Sequence, residues 1–387
     1  MHLFKLLLQH WQLILFIVFC SVTFIQLFYY LFFFSRLVFH KEKARETSRT
    51  NAVSVIICAR DEAENLANNL PGALVQDYKT THEVIVVNDN SYDDSKYVLE
   101  ELKKTFRQLH VVELTQEAKM IPGKKFPLSI GIKTAKYEIV LLTDADCVPA
   151  SEHWITSMQE VYDDKTEIVL GYGAYFKKKG LLNKIIRWET FHAALQYFSY
   201  ALAGTAYMGV GRNLSYKKAI FYRHKGFSAH NNLPGGDDDL FINMAATRRN
   251  TKININKDSF TLSKPAITWK QWFSQKKRHY TTSRYYKPLH KFLLGLYAFS
   301  HFLFYPLLIL SCIFFNWKFA LIVFGARFIL QAIVFYKTMN KLDEKYLNYQ
   351  IRNRFNVSGS GKLKFNDLSI SLRERIQTTI KDESNRI

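Results

Sequence analysis

From Leu13 to Phe34 the chain runs for 22 residues without a charged side chain, interrupted only by Ser21, Thr23 and Gln26. A helix needs roughly 20 apolar residues to cross the hydrocarbon core of a bilayer, so the run is expected to be a transmembrane segment. A cleaved signal peptide fits less well: the run is long, no small-residue cleavage site follows, and the basic residues are on the wrong side. Only Lys5 precedes it, whereas Arg36, Lys41, Lys43, Arg45 and Arg49 follow, which predicts a cytoplasmic location for what comes next.

Two further apolar runs, Phe292–Phe315 and Phe319–Tyr336, are joined by Asn316-Trp317-Lys318. They predict a hairpin with both flanks on the cytoplasmic side, where Arg284, Lys287 and Lys291 precede it and Lys337, Lys341 and Lys345 follow. The expected membrane frame is therefore about three helices, one N-terminal and two C-terminal. Arg327 and Gln331 fall near the middle of the last run, where an Arg costs about 2.5–3.5 kcal/mol on insertion scales and needs a partner. That partner is open between a lipid phosphate, the catalytic domain, and simple snorkelling or a re-entrant hairpin.

Hydrophobic residues make up 48% of the chain, yet mean hydropathy is −0.12, so the apolar residues are concentrated and a soluble domain must occupy the rest. The charge balance, 53 − 33 = +20, suits nucleic acid, an anionic membrane surface or a phosphorylated substrate. Four scattered cysteines make neither a disulfide framework nor a metal or redox spacing; Cys147 merely follows an acidic motif.

Between the spans, strand and helix patterns alternate, the mark of an α/β sheet. Strands are expected at Val53–Cys58, Glu83–Val87, His110–Leu114 and Glu138–Thr143, with helices at Glu62–Val75, Asp93–Phe106, Lys125–Thr134 and Leu240–Ala246. In open α/β sheets ligands bind beyond the carboxyl ends of the strands. Arg60-Asp61, Asn88-Asp89-Asn90 and Asp144-Ala-Asp146 should therefore converge on one rim. Two carboxylates one residue apart at a strand end can hold a hard divalent cation, which neutralises nucleotide phosphates. The crowded Asp237-Asp238-Asp239 could be only an acidic helix start, but mutual repulsion raises a carboxyl's proton affinity and suits a general base.

In this order the motifs resemble glycosyltransferase family 2, inverting nucleotide-sugar enzymes of the GT-A fold, over roughly Val53 to Tyr280. The pieces are Val53-Ser-Val-Ile-Ile-Cys-Ala-Arg-Asp-Glu62, Val86-Val-Asn-Asp-Asn-Ser-Tyr-Asp93, Gly123-Lys-Lys-Phe-Pro-Leu128, Leu142-Thr-Asp-Ala-Asp146, Gly235-Gly-Asp-Asp-Asp-Leu240 and Gln275-Lys-Lys-Arg278-His279. The resemblance implies a mixed, mostly parallel sheet with flanking helices. It places Ala59, Arg60, Glu62, Asp89, Lys124, Lys125, Asp144, Ala145 and Asp146 around a nucleotide-sugar, the expected donor class being UDP-sugar. Asp144 and Asp146 would hold Mg2+ or Mn2+, and Asp237, with Asp238 next in line, would take the acceptor's proton. Gly211, Arg212, Asn213, Asp239, Gln275, Arg278 and His279 would face or close over the acceptor, Gly209–Asn213 resembling the family's acceptor-side strand.

Three positions depart from the family pattern: Asn88 replaces the first acid of the nucleoside turn, Gly236 the Glu before the base, and His279 the closing Trp. With only three spans to form a channel, transfer of one sugar to a lipid-linked or saccharide acceptor is expected. Processive synthesis within the same family is the alternative. A decayed membrane-tethered scaffold and a nucleic-acid-binding protein are the readings from other classes; nucleic acid is not expected as a partner, because the basic excess sits beside the spans. The helical stripe Leu181–Phe198 is expected to face the core, and Trp269–Tyr280, mixing Trp with Lys and Arg, to lie at a membrane interface against lipids. The expected organisation is an anchor at 1–39, a linker at 40–52, a catalytic domain at 53–268, an interface segment at 269–291, a hairpin at 292–337 and a polar tail at 338–387. The catalytic domain is expected in the cytoplasm.

Overall fold

The computed structural model describes residues 10–42, 51–115 and 122–344. Lys5, most of the expected linker, and the tail stripe Phe365, Leu368, Leu372, Ile376 and Ile380 lie outside them. The chain divides into two units, Met1–Lys41 with Tyr286–Lys341, and Glu42–Tyr285 with Leu342–Ile387.

The first unit is built from two apolar helical stretches long enough to cross a membrane, Trp11–Phe39 and Pro288–Lys341. The second doubles back on itself: Phe304 packs against Phe324 with ring centroids 6.3 Å apart, and His301 meets Arg327. Its return helix, Trp317–Lys341, is started by Asn316, whose Oδ1 accepts from the backbone N–H of Lys318 at 3.0 Å. Three expected spans thus correspond to two contiguous stretches, the second folded as a hairpin around Phe19, Phe304 and Ala320. Arg327 is 1% exposed. Its Nε donates to Gln26 Oε1 at 2.7 Å, its Nη1 to Gln331 Oε1, and its Nη2 lies 3.2 Å from His301 Nε2, with the guanidinium over the Phe304 ring. The partner its burial demands is therefore a ring of polar side chains in the same unit, while Phe302, Ile313, Ile322 and Ile329 are exposed.

The second unit is an α/β sheet. Strand β1, Val53–Ala59, lies between β2, His82–Asp89, and β4, Ile139–Asp144; β3, Leu109–Leu114, flanks β2, and all four are parallel. β1, β2 and β4 are almost continuously apolar because both faces are covered. The covering helices on this side are α1, Ala63–Leu74, α2, Ser95–Thr105, and α3, Lys125–Thr134. Gly131 lets α3 settle on the sheet: a Cβ there would come within 2.6 Å of Ile56 Cγ2 and 3.1 Å of Val87 Cγ2. Beyond β4 come β5, Cys147–Pro149, the short helix α4, Trp154–Gln159, and strands β6, Ile168–Leu170, and β7, Gly173–Tyr175. Helix α5, Leu181–Leu202, buries Phe191, Ala194, Leu195 and Phe198, as a core-facing stripe requires, and leaves Leu181 and Trp188 exposed. Then follow β8, Leu214–Lys217, α6, Lys218–Arg223, α7, Asp239–Ala245, β9, Thr251–Ile253, β10, Thr261–Ser263, and α8, Trp269–Tyr280. The main sheet has the order β3-β2-β1-β4-β8-β6-β9, with β8 antiparallel to both neighbours, and β5-β10-β7 form a small second sheet. It is the expected mixed, mostly parallel sheet with flanking helices.

Register brings the expected rim together. Cys58 stands opposite Val87 on one side and Asp144 on the other, and Ala59 opposite Asn88, so three strand ends stop at one level. One local expectation fails: Gly211–Asn213 is a 3-10 turn leading into β8, and not part of a strand. A residue there must bond across a turn, which Asn213 does.

Candidate active site

The rim is held by short polar bonds, because its turns have left regular secondary structure and must satisfy their backbone groups otherwise. Asp61 takes a left-handed φ of +54° after Arg60, and its Oδ1 accepts from the Tyr92 N–H at 2.7 Å. Ser95 and Asp93 accept from the N–H groups of Glu62 and Ala63, so the β1 and β2 turns lock onto each other. Asp89 ends β2, and Asn90, at φ +52°, donates to its Oδ1. Asn88, standing where the family has an acid, is 2% exposed and donates to Glu113 Oε2 at 2.8 Å. It braces β3 and leaves Asp89 facing the rim. Asn69 Nδ2 holds the Ala145 carbonyl at 3.0 Å and fixes the turn between Asp144 and Asp146.

Lys124 joins this rim to the acidic triplet. Its Nζ lies 2.7 Å from Asp144 Oδ1 and 3.3 Å from Asp237 Oδ2. Gly123, at φ +77°, packs so tightly on Pro234 that a Cβ would come within 2.2 Å of its carbonyl oxygen. That approach carries the Lys124 loop to the segment ahead of α7. Burial alone would lower the Lys124 ammonium's pKa, but Asp144, Asp237 and Asp238 outweigh it and raise the pKa well above the usual lysine range. Gly211 makes room for the same groups, since a Cβ there would sit 3.0 Å from Lys124 Nζ and 3.4 Å from Asp238 Oδ2.

Asp238 is oriented at both oxygens. Oδ1 accepts from the Asp239 N–H at 2.7 Å, capping α7, and Oδ2 accepts from the Gly211 N–H at 2.8 Å. Burial, with Asp237 and Asp239 alongside, pushes its pKa up to about 7. Asp239 is a structural neighbour: one oxygen accepts from the Leu240 N–H and the other from the Thr282 hydroxyl. Gly236 has φ +95°, and a Cβ would meet Leu240 Cδ1 at 2.5 Å, so the departure from Glu at this position follows from the backbone that starts α7.

The expected site residues differ in what they touch. Lys125 is 1% exposed and donates to the carbonyls of His230 and Leu233, which clamps the loop before Gly235; of the two lysines, Lys124 is the one aimed at the carboxylates. Asn213 is fully buried, donating to the carbonyls of Tyr172 and Ser259 and accepting from Trp154 Nε1, so its side chain is engaged in holding the turn. Arg212 is half-buried. Its guanidinium stacks 4.2 Å from the Tyr175 ring and donates to Ser263, and its charge bears on Asp144 and Asp146. Gln275 Nε2, on α8, lies 3.3 Å from the Tyr175 hydroxyl, tying the expected closing segment to the same ring. Arg278 and His279 also lie on α8. Tyr175 and Thr282 are additions that no motif marked: each matters through tertiary contacts, and an isolated Tyr or Thr has no spacing to betray it.

The donor set suits a hard cation. The Asp144 and Asp146 carboxylates and the Cys147 thiol offer atoms within 4.8 Å of one another. Burial and the Asp144 charge raise the Asp146 pKa, a crowding that a divalent cation would relieve. Cys147 donates to Asp146 Oδ1 at 3.2 Å and lies 2.9 Å from Ser263 Oγ, and burial and the two carboxylates hold the thiol well above its usual pKa. Kept protonated, it orients Asp146 and leaves the carboxylate oxygens to a hard ion. Glu62, whose pKa is raised by burial with Asp146 and Asp144 among its acidic neighbours, stands at the edge of the same cluster.

Comparison with known proteins agrees with this geometry. Residues 54–225 match the family model "Glycosyl transferase family 2". The chain is 31% identical over 153 residues to a poly-beta-1,6-N-acetyl-D-glucosamine synthase of Staphylococcus epidermidis, covering 38% of this chain and 34% of that protein. It is 25% identical over 160 residues to the synthase of the same name from Staphylococcus aureus strain N315, covering 40% and 37%. The match thus spans about a third of the length of these curated relatives. Among solved structures, a mannosyltransferase of Pyrobaculum calidifontis in complex with GDP-Man and Mn2+ shares the fold, with a TM-score of 0.55 and 18% identity over 95% of this chain and 98% of that one. The chain thus carries, at residues 54–225, a domain that matches glycosyltransferase family 2, on a mixed sheet whose rim gathers the acids.

Proposed function

We propose that the protein is a membrane-anchored, inverting glycosyltransferase that moves one sugar from a nucleotide-sugar, of the UDP class, to a hydroxyl of a lipid-linked or saccharide acceptor. The observation that carries this reading is the bridge made by Lys124, which holds the strand-end acid Asp144 and the helix-start acid Asp237 on either side of one ammonium. An inverting displacement needs a base on the acceptor side and positive charge on the leaving diphosphate, and the two must be close.

In this mechanism Asp89 and the β1 and β2 turns hold the nucleoside, and Arg60 and Glu62 border it. Asp144 and Asp146 would hold a divalent cation, Mg2+ or Mn2+, which supplies charge neutralisation at the diphosphate when bound. Lys124 adds its own charge to the departing phosphates. The proton of the attacking hydroxyl goes to the Asp237–Asp238 pair. Asp238 is the better acceptor, because its proton affinity lies near neutral pH and two backbone N–H groups fix its orientation. The acceptor oxygen then bonds to the anomeric carbon as the diphosphate leaves, without a covalent enzyme intermediate. Arg212, held by Tyr175, lines the acceptor side with Gly211, and Gln275 and the rest of α8 close over it.

The names of the curated relatives favour a second reading, in which the same site acts repeatedly to build a β-linked N-acetylglucosamine polymer. Product length decides between the two: one added sugar supports the first, a ladder of products the second. The test of the activity itself is a screen of sugar nucleotides with purified full-length protein in detergent and Mn2+ or Mg2+. Turnover by wild type and its loss, at least 100-fold, in Asp146→Ala are expected. A wild type inert toward every donor, or an Asp146→Ala variant with full activity, would sink the reading.

A further inference from the structure

Beyond the helix that ends at Lys341, the chain adds three buried residues to the second unit. Leu342 is fully buried, and Asp343 and Glu344 are 6% and 7% exposed. Asp343, at φ +57°, sets its Oδ1 2.9 Å from Lys257 Nζ. Glu344 is held more completely. Its Oε2 lies 2.7 Å from Arg187 Nη2, which also donates to the Glu344 carbonyl, and its Oε1 accepts from the Tyr172 hydroxyl. Those partners are 157 and 172 residues away in sequence. Removing a carboxylate and a guanidinium from water is costly unless both are well bonded, so the pair demands a fixed geometry.

What that geometry fixes is the support of the acceptor side. The Tyr172 carbonyl accepts from Asn213 Nδ2 at 3.0 Å, and the Gly171 N–H donates to the Asn213 carbonyl at 3.0 Å. A Cβ on Gly171 would come within 2.5 Å of Asn213 Cγ, so the two turns are in closest contact. Asn213 continues directly from Gly211, whose N–H holds Asp238, and from Arg212, which stacks on Tyr175 three residues beyond Tyr172. Residues 171–172 and 211–213 lie outside the strands, so these side-chain bonds supply the rigidity that a ladder would otherwise give. Glu344 touches none of the rim acids itself.

We infer that Glu344 is a positioning residue for catalysis: through Tyr172 and Asn213 it fixes the turn that orients Asp238 and Arg212. The inference rests on the glycosyltransferase reading. It predicts a loss in the chemical step larger than any effect on donor binding, because the bond chain reaches the base directly, Asp144 and Asp146 only through the Arg212 charge, and Asp89 not at all.

The test uses full-length protein in detergent with UDP-N-acetylglucosamine, or whichever screened sugar nucleotide wild type turns over, and follows donor hydrolysis. Glu344→Gln is expected to lower kcat at least 10-fold, with the donor KM changed less than twofold. Tyr172→Phe, which deletes one hydroxyl and leaves the ring, should shift kcat in the same direction by a smaller factor. Arg187→Lys should retain more activity than Arg187→Met. Thermal unfolding of each variant guards against simple misfolding, and Tyr172→Phe is the variant least able to unfold the chain. A wild type active on the donor together with unchanged kcat in both Glu344→Gln and Tyr172→Phe overturns this inference alone. A kcat loss matched by an equal rise in donor KM overturns it too, since the effect would then reach the donor side. An inert wild type overturns the underlying glycosyltransferase reading instead.

Discussion

At the scale of single residues, the acidic triplet shows how environment separates chemically identical side chains. Asp237 is paired to Lys124, Asp239 is spent on the Leu240 N–H and Thr282, and Asp238 is left with its pKa raised to about 7 by burial and its two acidic neighbours. If Asp238 is the base, Asp238→Asn should lower kcat by about 10²–10⁴-fold, the usual worth of a positioned proton acceptor. The wild-type rate should rise with pH through about 7, as the carboxylate becomes free to accept. Stability should move the other way. A carboxyl whose pKa climbs from 3.8 to about 7 on folding binds its proton more tightly in the folded state. The folded chain therefore loses stability as pH rises between those values. Asp238→Asn should flatten that part of the slope in thermal unfolding measured from pH 5 to pH 8. A variant with wild-type kcat and an unchanged slope would remove Asp238 from the role.

At the scale of elements, the central strands were readable because their chemistry is local and repetitive. Val53–Ala59 and Ile139–Asp144 are apolar runs that only a doubly covered parallel strand explains, and each ends on polar residues that could have no place in the core. The convergence of Asp89, Asp144 and Asp146 followed from the same logic, since parallel strands in register must end together. The acceptor-side turn was less legible. Asn213 looks like any polar residue of a loop, and its burial among Tyr172, Ser259 and Trp154 is decided by segments distant in sequence. The Lys124 and Lys125 pair could not be split from sequence either, because which of them meets the carboxylates depends on how Gly123 packs against Pro234. Helix α3, which starts at Lys125, offers a clean test of packing. Gly131→Ala would drive a methyl into Ile56 and Val87, and overpacking of this kind costs about 1–3 kcal/mol. Urea unfolding of the variant should show a loss of that size; an unchanged midpoint would mean that α3 does not lie as close to β1 and β2 as the structure has it.

At the scale of the whole molecule, the +20 charge and the apolar stretches divide the work. Outward-facing Phe302, Ile313, Ile322 and Ile329 would be poorly tolerated in water, whereas the polar ring around Arg327 is turned inward, the arrangement a lipid environment selects. The basic residues cluster at the ends of the stretches, at Arg36 and Lys41 after the first and at Lys287, Lys291, Lys337 and Lys341 around the second. Under the proposal that both stretches cross a membrane, the positive-inside rule predicts one orientation for all of these flanks. The hairpin tip at Trp317 would then lie outside and the glycosyltransferase domain on the cytoplasmic side, where sugar nucleotides are made and anionic lipids attract basic surface. A single cysteine introduced as Trp317→Cys, in a chain whose four native cysteines are replaced by serine, should react in intact cells with a membrane-impermeant maleimide. A cysteine introduced as Lys103→Cys, on the exposed side of α2, should react only after the cells are opened. Labelling of the domain site alone in intact cells would reverse the orientation and with it the source of the donor, and labelling of both would put tip and domain on one side and remove the spanning hairpin.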